Sequence, residues 1–328
     1  MRFFFTTPNW RSTSPAAGDP PKSLPEPAGP AALRFWWPIA RYRIAMITTD
    51  RKTMRVAFQG EPGAFSEAAA IQLLGQSIAT VPGATFEAIF RSIPEGAADA
   101  ILAPVENSLA GSVVRVFDLL LESQLAIVAE TILPIEMQLI ALPGASLGDI
   151  RSVASHSMAL AQCERFFAAH PNWKRVPAED TAGSVREMIS RGDKSCAAIA
   201  GRRAAEHYQG VILAERIQDN PENFTRFVLL VPEQEAAGWP SEQARKTSLA
   251  MRLAHRPGAL LASLGPFAKH GVNLLKIESR PIHGRPWEYQ FFLDVEAEDA
   301  ASLDHALAEV RKATSALRVL GRYGAASR

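Results

Sequence analysis

The sequence predicts an α/β protein with a two-lobed body, followed by a smaller ferredoxin-like domain of order βαββαβ. Short apolar strands alternate with helices from Arg55 to Val231, and several strands end in polar residues or glycine. That arrangement is typical of open α/β sheets, which place ligand sites at their strand ends. Beyond a polar stretch the apolar period changes at Thr247, where strict alternation begins. Such alternation predicts a half-buried strand and a separate second domain.

Composition limits the classes of protein that fit. The chain has 328 residues, of which 47% are hydrophobic, enough for two or three domains with sizeable cores. The formal net charge of +1 argues against a nucleic-acid binder. Cys163 and Cys196 are the two cysteines, and their spacing predicts neither a zinc site nor a disulfide framework. A reducing, cytoplasmic compartment fits best, and no apolar run approaches the ~18 residues of a membrane span.

Residues 1–53 differ from the rest of the chain. They are rich in proline and show no lasting apolar period, which predicts a disordered N-terminal extension over 1–53. Two interpretations remain open. The segment is a transit-like extension, or the start was assigned too far upstream and Met46 or Met54 is the true first residue.

The first lobe begins with a predicted strand at Arg55 to Gln59 and a glycine-bearing turn, GEPGAFS, at Gly60 to Ser66. Ser66 is expected to cap the helix Glu67 to Leu74. The turn lacks both GxGxxG spacing and a terminal lysine, so a nucleotide site is not expected. A further helix is predicted around Phe86 to Glu95.

The segment PVENSLAGSV, Pro104 to Val113, follows the apolar strand Ala100 to Ala103. It packs a carboxylate, an amide, a hydroxyl and a glycine into Glu106 to Gly111. Gly111 or Ser112 is expected to open the next helix. Its free N–H groups would then face the same place as the polar side chains and suit an anion.

Two apolar segments, Ala126 to Ile132 and Ile135 to Leu142, mark the predicted crossing into a second lobe. In that lobe, predicted strands end at Ser155-His156 and before Asp180, and each is followed by a helix. Glu215 to Asn223 is expected to return to the first lobe, where Phe227 to Val231 completes the sheet.

Four hydroxyl side chains are expected at strand ends and helix N-termini: Ser108, Ser155, Thr181 and Thr225. Each one alone is better explained as a helix cap than as a ligand group. Four of them spread over two lobes are harder to explain as independent caps. A cleft between the lobes would let all four converge on one small molecule.

The C-terminal part begins after a polar linker, residues 233–246. Thr247 to Ala254 reads as a half-buried strand, and the next helix carries Leu260, Leu264 and Phe267 on one face. Two extended segments, a turn at His283-Gly284, a second helix and a last strand, Leu317 to Tyr323, complete the order βαββαβ.

The motifs resemble one family. PVENSLAGSV, SHSMALAQC (Ser155 to Cys163), DTAGS (Asp180 to Ser184) and NFTRF (Asn223 to Phe227) are similar to the motif set of prephenate dehydratases, and GEPGAFS resembles their N-terminal loop. The C-terminal part, with GALL and ESRP, resembles the ACT regulatory domain. The resemblance implies a periplasmic-binding-protein-like catalytic domain over 54–232 and an ACT domain over 247–325. No chorismate mutase segment precedes Arg55, so the chain resembles the monofunctional type.

The family implies a decarboxylating dehydration of prephenate to phenylpyruvate, without cofactor or metal. The resemblance carries over the following catalytic residues: Thr225, which assists departure of the hydroxyl, with Glu106, Asn107 and Gln162. It carries over these substrate-binding residues: Ser108, Ser155, Thr181 and Arg226.

Feedback regulation by phenylalanine is implied by the ACT domain, with paired ACT domains forming a homodimer or homotetramer. The matching effector-binding residues are Gly258, Ala259, Leu260, Asn273, Leu274, Glu278, Ser279, Arg280 and Pro281.

The sequence departs from the family in two places. A family histidine near positions 136 and 137 is replaced by Glu136 and Met137, and the usual tyrosine-glycine reads Tyr208-Gln209-Gly210. Either the histidine is not required for the chemistry, or a nearby residue replaces it.

Three questions stay open. Glu106 could supply a proton if burial raised its pKa, or it could stay ionised and orient Asn107 or Arg226. Arogenate dehydratase, which uses the same chemistry on the amino analogue, is a close alternative. A non-catalytic solute-binding protein is a more distant one, because fold alone does not fix function.

Overall fold

The structure, a computed structural model, describes residues 53–240, 244–282 and 285–326, without the side chains of residues 285–287. The extension expected over residues 1–53 lies outside this range up to residue 52, as does the turn expected at His283-Gly284. Three sheets organise the described residues.

The first lobe is built on a six-stranded sheet. Its strands are β1 (Arg55–Gln59), β2 (Ala79–Gly83), β3 (Ala100–Asn107), β4 (Gly111–Ser112), β5 (Leu125–Pro134) and β11 (Phe224–Pro232). They lie in the order β2-β1-β3-β11-β5, with β4 paired to β3. β1 runs parallel to β2 and β3, whereas β11 runs antiparallel to β3 and β5. The returning strand β11 therefore sits inside the sheet, as predicted.

Three helices belong to this lobe: α1 (Phe65–Leu74), α2 (Phe86–Arg91) and α3 (Val114–Glu122). Ala69 and Ala70 of α1 pack on the side of the sheet that carries Leu229. Val116 of α3 packs on the opposite side, which carries Val228. Because both faces of β11 are buried, its sequence is continuously apolar instead of alternating.

The second lobe has a five-stranded sheet. Its strands are β6 (Gln138–Ala141), β7 (Ser152–His156), β8 (Lys174–Ala178), β9 (Cys196–Ala200) and β10 (Val211–Ala214), in the order β10-β6-β9-β7-β8. Its helices are α4 (Ser157–Ala161), α5 (Glu164–Ala168), α6 (Thr181–Arg191) and α7 (Arg202–Tyr208). The chain crosses between the lobes twice, from β5 to β6 and from β10 to β11. Both crossings lie where the sequence predicts them.

The C-terminal domain has the predicted order βαββαβ. Its elements are β12 (Lys246–Arg252), α8 (Ala259–Lys269), β13 (Asn273–Ile282), β14 (Arg285–Glu296), α9 (Ala300–Ala313) and β15 (Ala316–Tyr323). The four strands form an antiparallel sheet in the order β13-β14-β12-β15. The predicted fold class is confirmed in all three sheets.

One face of this third sheet packs on the two helices, and the other packs on the first lobe. Phe292 joins the core of the first lobe, with its ring centroid 4.8 Å from that of Phe117. Gly321 approaches β5 so closely that a Cβ would lie 2.1 Å from the Ile127 carbonyl oxygen. A 3₁₀ helix, Glu233–Gly238, occupies part of the segment expected as a linker. The C-terminal domain is therefore docked on the first lobe through a shared core.

Three expected helix boundaries are wrong. α1 begins at Phe65 after Ala64, without a side-chain cap, so Ser66 lies in its first turn and does not cap it. Gly111 and Ser112 pair with β3 as a short strand, which delays α3 to Val114. The helix expected to run from Ser157 to about Ala168 breaks between α4 and α5, at Gln162 and Cys163.

The Tyr208-Gln209-Gly210 departure has a structural account. Gln209 ends α7 in the left-handed conformation, with φ 57°, a position that usually holds glycine. A Cβ on Gly210 would lie 2.5 Å from Cγ2 of Ile140. Glycine is therefore needed at position 210 for packing, while Gln209 adopts the strained conformation.

Two ion pairs tie the lobes together beside α1. The Glu67 carboxylate lies 2.7 Å from Nε of Arg203 in α7, and Glu61 lies 2.7 Å from Arg186 in α6. Glu67 is 3% exposed, and its carboxylate also accepts hydrogen bonds from the Gly63 N–H and the Thr80 hydroxyl, both at 2.8 Å. Burial raises the pKa of Glu67, but the bonds from Arg203, Gly63 and Thr80 together lower it below its ordinary value.

The Glu67→Gln variant is expected to lose about 1–3 kcal/mol of stability near neutral pH. The cost stays below that of a fully buried pair because the Arg203 side chain is 32% exposed. Since the folded pKa is depressed, the contribution is present above the unfolded pKa of about 4.3 and is lost as pH falls through the folded value. Denaturant unfolding of both proteins between pH 3 and 7 measures the difference, which should shrink toward acid pH.

Glu95→Gln is the matched control. Glu95 pairs with Arg91 at 4.0 Å, and its side chain is 64% exposed, so its loss should cost less than about 0.5 kcal/mol. Equal stability losses for the two variants at every pH would contradict the assignment.

Candidate active site

Antiparallel pairing of β3 with β11 places Thr225 directly opposite Asn107. Nδ2 of Asn107 lies 2.9 Å from Oγ1 of Thr225. The Asn107 amide is fixed in orientation because its Oδ1 accepts the N–H groups of Leu109 and Ala110, at 3.0 and 2.8 Å. An amide nitrogen donates only, so Oγ1 of Thr225 is the acceptor and its own proton remains available for another group.

Asn223 connects this pair to the second lobe. Its Oδ1 lies 2.8 Å from Nδ2 of Asn107, and its Nδ2 donates to Oε1 of Gln162 at 3.1 Å. Gln162 ends α4 in the second lobe, and Asn223 lies on the crossing into β11. The bonded series Thr225, Asn107, Asn223 and Gln162, which we call the polar cluster, therefore spans both lobes.

Asn223 is 2% exposed and was not selected from the sequence as a site residue. It stands two positions before Thr225, in the same motif. A buried asparagine at the crossing between two lobes is the signal that would have found it, but burial is not visible in a single sequence.

The remaining predicted substrate-binding hydroxyls have different surroundings. Ser108 donates to the Glu222 carbonyl at 2.8 Å and accepts the Phe224 N–H at 2.9 Å, so it joins the end of β3 to the start of β11. Thr181 is the first residue of α6. Ser155 is fully buried, and its hydroxyl donates to the Ile199 carbonyl at 2.6 Å. Its role as a substrate ligand stays a prediction that this geometry does not favour.

Helix capping, the expected alternative for these hydroxyls, is wrong for all four. Among the described residues, the helix caps whose side chains accept a helix N–H are Thr85, His156, Asp180 and Asp299. Asp180 accepts the Gly183 N–H at 2.6 Å, so the start of α6 is held by the residue before Thr181.

Glu106 and Arg226 lie on the other face of the first sheet. Successive residues of a strand point to opposite faces, so the neighbours of Asn107 and Thr225 are directed away from the polar cluster. The Glu106 carboxylate lies 3.2 Å from Nζ of Lys276, and Nη1 of Arg226 lies 2.6 Å from the Asp294 carboxylate. Both partners belong to the C-terminal domain. The roles predicted for Glu106 in catalysis and for Arg226 in substrate binding stay predictions.

The two residues that replace the family histidine lie apart from the polar cluster. Met137 is 3% exposed, and its sulfur lies 3.6 Å from Sγ of Cys163. Burial raises the pKa of the Cys163 thiol to about 12, so it stays protonated. Glu136 pairs with Arg216 at 3.1 Å. Position 137 is therefore a packing position of the second lobe.

A cavity of about 420 Å³ lies between the lobes, lined by the starts of α1 and α7 and by the crossing Leu133 to Gln138. Two of its cationic lining residues pair with carboxylates outside the lining: Arg203 with Glu67, and Arg202 with Glu215. The cavity therefore lies beside the segment that connects β5 of the first lobe to β6 of the second lobe.

The predicted effector-binding residues fall on two elements. Gly258 precedes α8 with φ 77°, a conformation that favours glycine, and Ala259 and Leu260 open the helix. The rest lie on β13, the edge strand of the third sheet: Asn273, Leu274, Glu278, Ser279, Arg280 and Pro281. The side chains of Glu278 and Arg280 turn toward the first lobe, where they contact Ser112 and Asp118.

Within the described residues, no helix is long and apolar enough to cross a bilayer. No group of three or more His, Cys, Asp or Glu side chains is placed to hold a metal ion in the same part of the chain. The cytoplasmic location expected from the sequence stays a prediction.

The protein is thus a two-lobed α/β protein with a polar cluster across the lobes, docked on a ferredoxin-like domain. The sequence model of the family described as prephenate dehydratase matches residues 56–235, and that of the ACT domain matches residues 247–314. The chain belongs to the prephenate dehydratase family and is a hydro-lyase with a C-terminal ACT domain.

Curated relatives agree with this assignment. The chain is 35% identical over 287 residues to a bifunctional chorismate mutase/prephenate dehydratase of Aquifex aeolicus, covering 87% of this chain and 77% of the relative. It is 42% identical over 288 residues to arogenate dehydratase 1 of Petunia hybrida, covering 83% and 67%. Identity alone therefore does not separate the two substrates.

Solved structures share the whole architecture. Prephenate dehydratase from Arthrobacter aurescens in complex with L-Phe has a TM-score of 0.73 at 33% identity, covering 83% of this chain and 90% of that one. A quorum quenching acylase, GqqA, has a TM-score of 0.74 at 33% identity, covering 83% and 98%. The family and fold predicted from the motifs are confirmed.

Asn223→Ala is expected to lower kcat for prephenate about 10–100-fold, because the orientation of Asn107 and Gln162 loses two buried hydrogen bonds worth about 1–1.5 kcal/mol each. Steady-state kinetics of the purified full-length protein measures the effect. Asn220→Ala is the control. Oδ1 of Asn220 accepts the Glu222 N–H at 2.8 Å in the same loop, outside the polar cluster. Equal kcat values for the two variants would remove Asn223 from the site.

Proposed function

We propose that the chain converts prephenate to phenylpyruvate, carbon dioxide and water at the polar cluster. The observation that carries this proposal is the Thr225 hydroxyl, 9% exposed and held as an acceptor by Asn107. No hydrogen bond donated by this hydroxyl is found within the described residues, so its proton is free to bind a group outside the protein. A hydrogen-bond donor aimed at a departing hydroxyl is what this dehydration requires.

The proposed reaction breaks two bonds of prephenate. The bond between the ring and its hydroxyl breaks, and the oxygen leaves with one added proton as water. The bond between the ring and its carboxylate breaks as well, and that electron pair enters the ring while carbon dioxide departs. Aromatisation supplies the driving force, so the protein has to orient the ring and assist the hydroxyl.

Threonine is a very weak acid, so Thr225 donates a hydrogen bond to the departing oxygen without net transfer of its proton. The amides of Asn107, Asn223 and Gln162 hold that hydroxyl in one orientation, which supplies the preorganised donor without reorganisation during the reaction. The carboxylate that leaves must stay poorly solvated, because binding it tightly would stabilise the ground state.

For Glu106 we propose an ionised carboxylate that orients Arg226 rather than a proton source. It contacts Lys276 at 3.2 Å and Arg226 at 3.5 Å, both cationic. It also lies on the face of the sheet opposite Thr225. The proton that converts the departing hydroxide into water then comes from solvent.

Thr225→Val is expected to lower kcat by about 10²–10⁴-fold, because valine keeps the shape and removes the donor. Thr225→Ser keeps the hydroxyl and should stay within about tenfold of the wild type. Absorbance of phenylpyruvate after incubation with prephenate measures both. A valine variant with unchanged turnover would exclude Thr225 from the mechanism.

Arogenate is the second candidate substrate, favoured by the plant relatives named arogenate dehydratases, one of them 42% identical. It carries an amino group where prephenate carries a keto group. Values of kcat/KM for the two substrates, measured with one preparation, decide between them. A larger value for arogenate would replace prephenate as the proposed substrate.

We propose that phenylalanine inhibits the enzyme by binding between paired ACT domains of a homodimer or homotetramer. The large hydrophobic residues left exposed on the C-terminal domain support pairing: Leu260 (37%), Leu261 (76%), Leu275 (44%), Ile277 (41%) and Tyr289 (39%). They are carried by α8, β13 and β14, the first two of which also hold the predicted effector residues. Large apolar side chains left exposed on neighbouring elements are what an interaction surface supplies.

Asn273→Ala is expected to raise the half-inhibitory concentration of phenylalanine about 5–150-fold, the range of a typical allosteric coupling. Lys269→Ala is the control, since the Lys269 side chain is 63% exposed and pairs with Glu309. Inhibition curves and sedimentation velocity of the full chain test inhibition and pairing together. A monomer insensitive to phenylalanine would contradict the regulatory proposal.

A further inference from the structure

A charge cluster is buried between the first lobe and the C-terminal domain. Arg226 donates to Glu130 at 2.7 Å and to Asp294 at 2.6 Å. Lys246 donates to the same Glu130 carboxylate at 2.8 Å. The side chains are 12% exposed for Arg226, 2% for Glu130, 7% for Asp294 and 10% for Lys246. Two cations and two carboxylates thus balance one another out of water.

Hydroxyl groups of the C-terminal domain complete this cluster. Nη2 of Arg226 donates to the Tyr323 hydroxyl at 3.1 Å, and the Ser248 hydroxyl contacts the Asp294 carboxylate. Burial lowers the pKa of Arg226, but Tyr323, Asp294 and Glu130 raise it by more. Burial raises the pKa of Asp294, but Arg226, Ser248 and Lys246 together lower it by more. Both groups therefore stay charged over the range in which the enzyme works.

A second contact lies beside the first. Nζ of Lys276 lies 3.2 Å from Glu106 and donates to the Ser112 hydroxyl at 2.7 Å. The Glu278 carboxylate contacts the same hydroxyl and lies 3.5 Å from Nζ of Lys276. Glu278 is the first residue of the predicted effector segment Glu278 to Pro281, so this segment itself contacts the first lobe.

The two contacts meet on one pair of strands. Arg226 pairs with Glu106 in the β3–β11 register, and Thr225 pairs with Asn107 one position away. The backbone of a paired strand is stiff, so a shift of a side chain anchored on one face moves its neighbour on the other face. Charged side chains of the C-terminal domain therefore contact Arg226 and Glu106. These two residues are the chain neighbours of Thr225 and Asn107, which form the hydrogen bond of the site.

We propose that Asp294 and Lys276 are positioning residues: through Arg226 and Glu106 they set the distance and orientation of Thr225 relative to Asn107. The C-terminal domain is then part of the support of the polar cluster, and β13 carries the effector signal to it. This inference rests on the function proposed above.

The test compares variants in the full-length protein with prephenate as substrate and no phenylalanine. Asp294→Asn and Lys276→Gln should each lower kcat at least tenfold while KM stays within twofold, because the reacting geometry changes and the substrate contacts do not. Asp294→Glu and Lys276→Arg, which keep the charge, should recover a substantial part of kcat. Far-ultraviolet circular dichroism and thermal unfolding confirm that each variant is folded.

Arg318→Gln is the matched control. Arg318 of the C-terminal domain also contacts the first lobe, through the Leu121 carbonyl at 2.9 Å, and it pairs with Glu233 at 2.6 Å. It lies away from the Arg226–Glu106 pair, so its variant should lose thermal stability and keep kcat within twofold.

The outcomes are distinct. The inference is supported if the wild type converts prephenate and kcat falls in the Asp294 and Lys276 variants but not in the Arg318 variant. Wild-type turnover with all three variants alike overturns it and leaves the proposed function standing. A wild-type protein without turnover on prephenate overturns both. If Asp294→Asn does not fold, Lys276→Gln decides, since the Lys276 side chain is 15% exposed and outside the core of the charge cluster.

Discussion

Two adjacent positions of the β3–β11 ladder hold the structure and its site together. Thr225 lies opposite Asn107, and Arg226 lies opposite Glu106. Because strand residues alternate between faces, the first pair joins the polar cluster while the second enters the charge cluster against the C-terminal domain. A shift of one residue in this register would exchange the two faces and destroy both clusters at once.

The consequence is an active site supported from two directions. Asn223 and Gln162 hold the Thr225–Asn107 pair from the side of the second lobe. The C-terminal domain packs on the opposite face of the same strands, with Phe292 in the shared core. The second lobe and the C-terminal domain therefore both contact one pair of strands, β3 and β11, which carry Asn107 and Thr225.

Much of the fold was predictable because it depends on local pattern. The crossing at Ile135 and the return of β11 follow from apolar period and turn residues, and the structure has them. The strand β12 forms where it is predicted, but the expected half-buried strand is wrong: β12 is buried on both faces, because its second face packs on the first lobe. Helix starts were less predictable. Ser66 is a residue type common at helix caps, yet α1 begins at Phe65, two residues before the expected start at Glu67. The turn before it packs Gly63 against Ala204 of the second lobe. No local pattern reports such a long-range contact.

The sequence by itself determined the family, the order of the elements and the presence of an asparagine and a threonine at strand ends and of a glutamine in a helix. Only the tertiary structure decided which of these residues meet. Glu106 and Asn107 are adjacent in the motif, as are Thr225 and Arg226, and the motif treats each pair as one unit. Since β3 continues through Asn107 instead of ending at Ala103, each pair is divided between the two faces of the sheet. That division depends on strand length and register, which arise from pairing between segments more than a hundred residues apart.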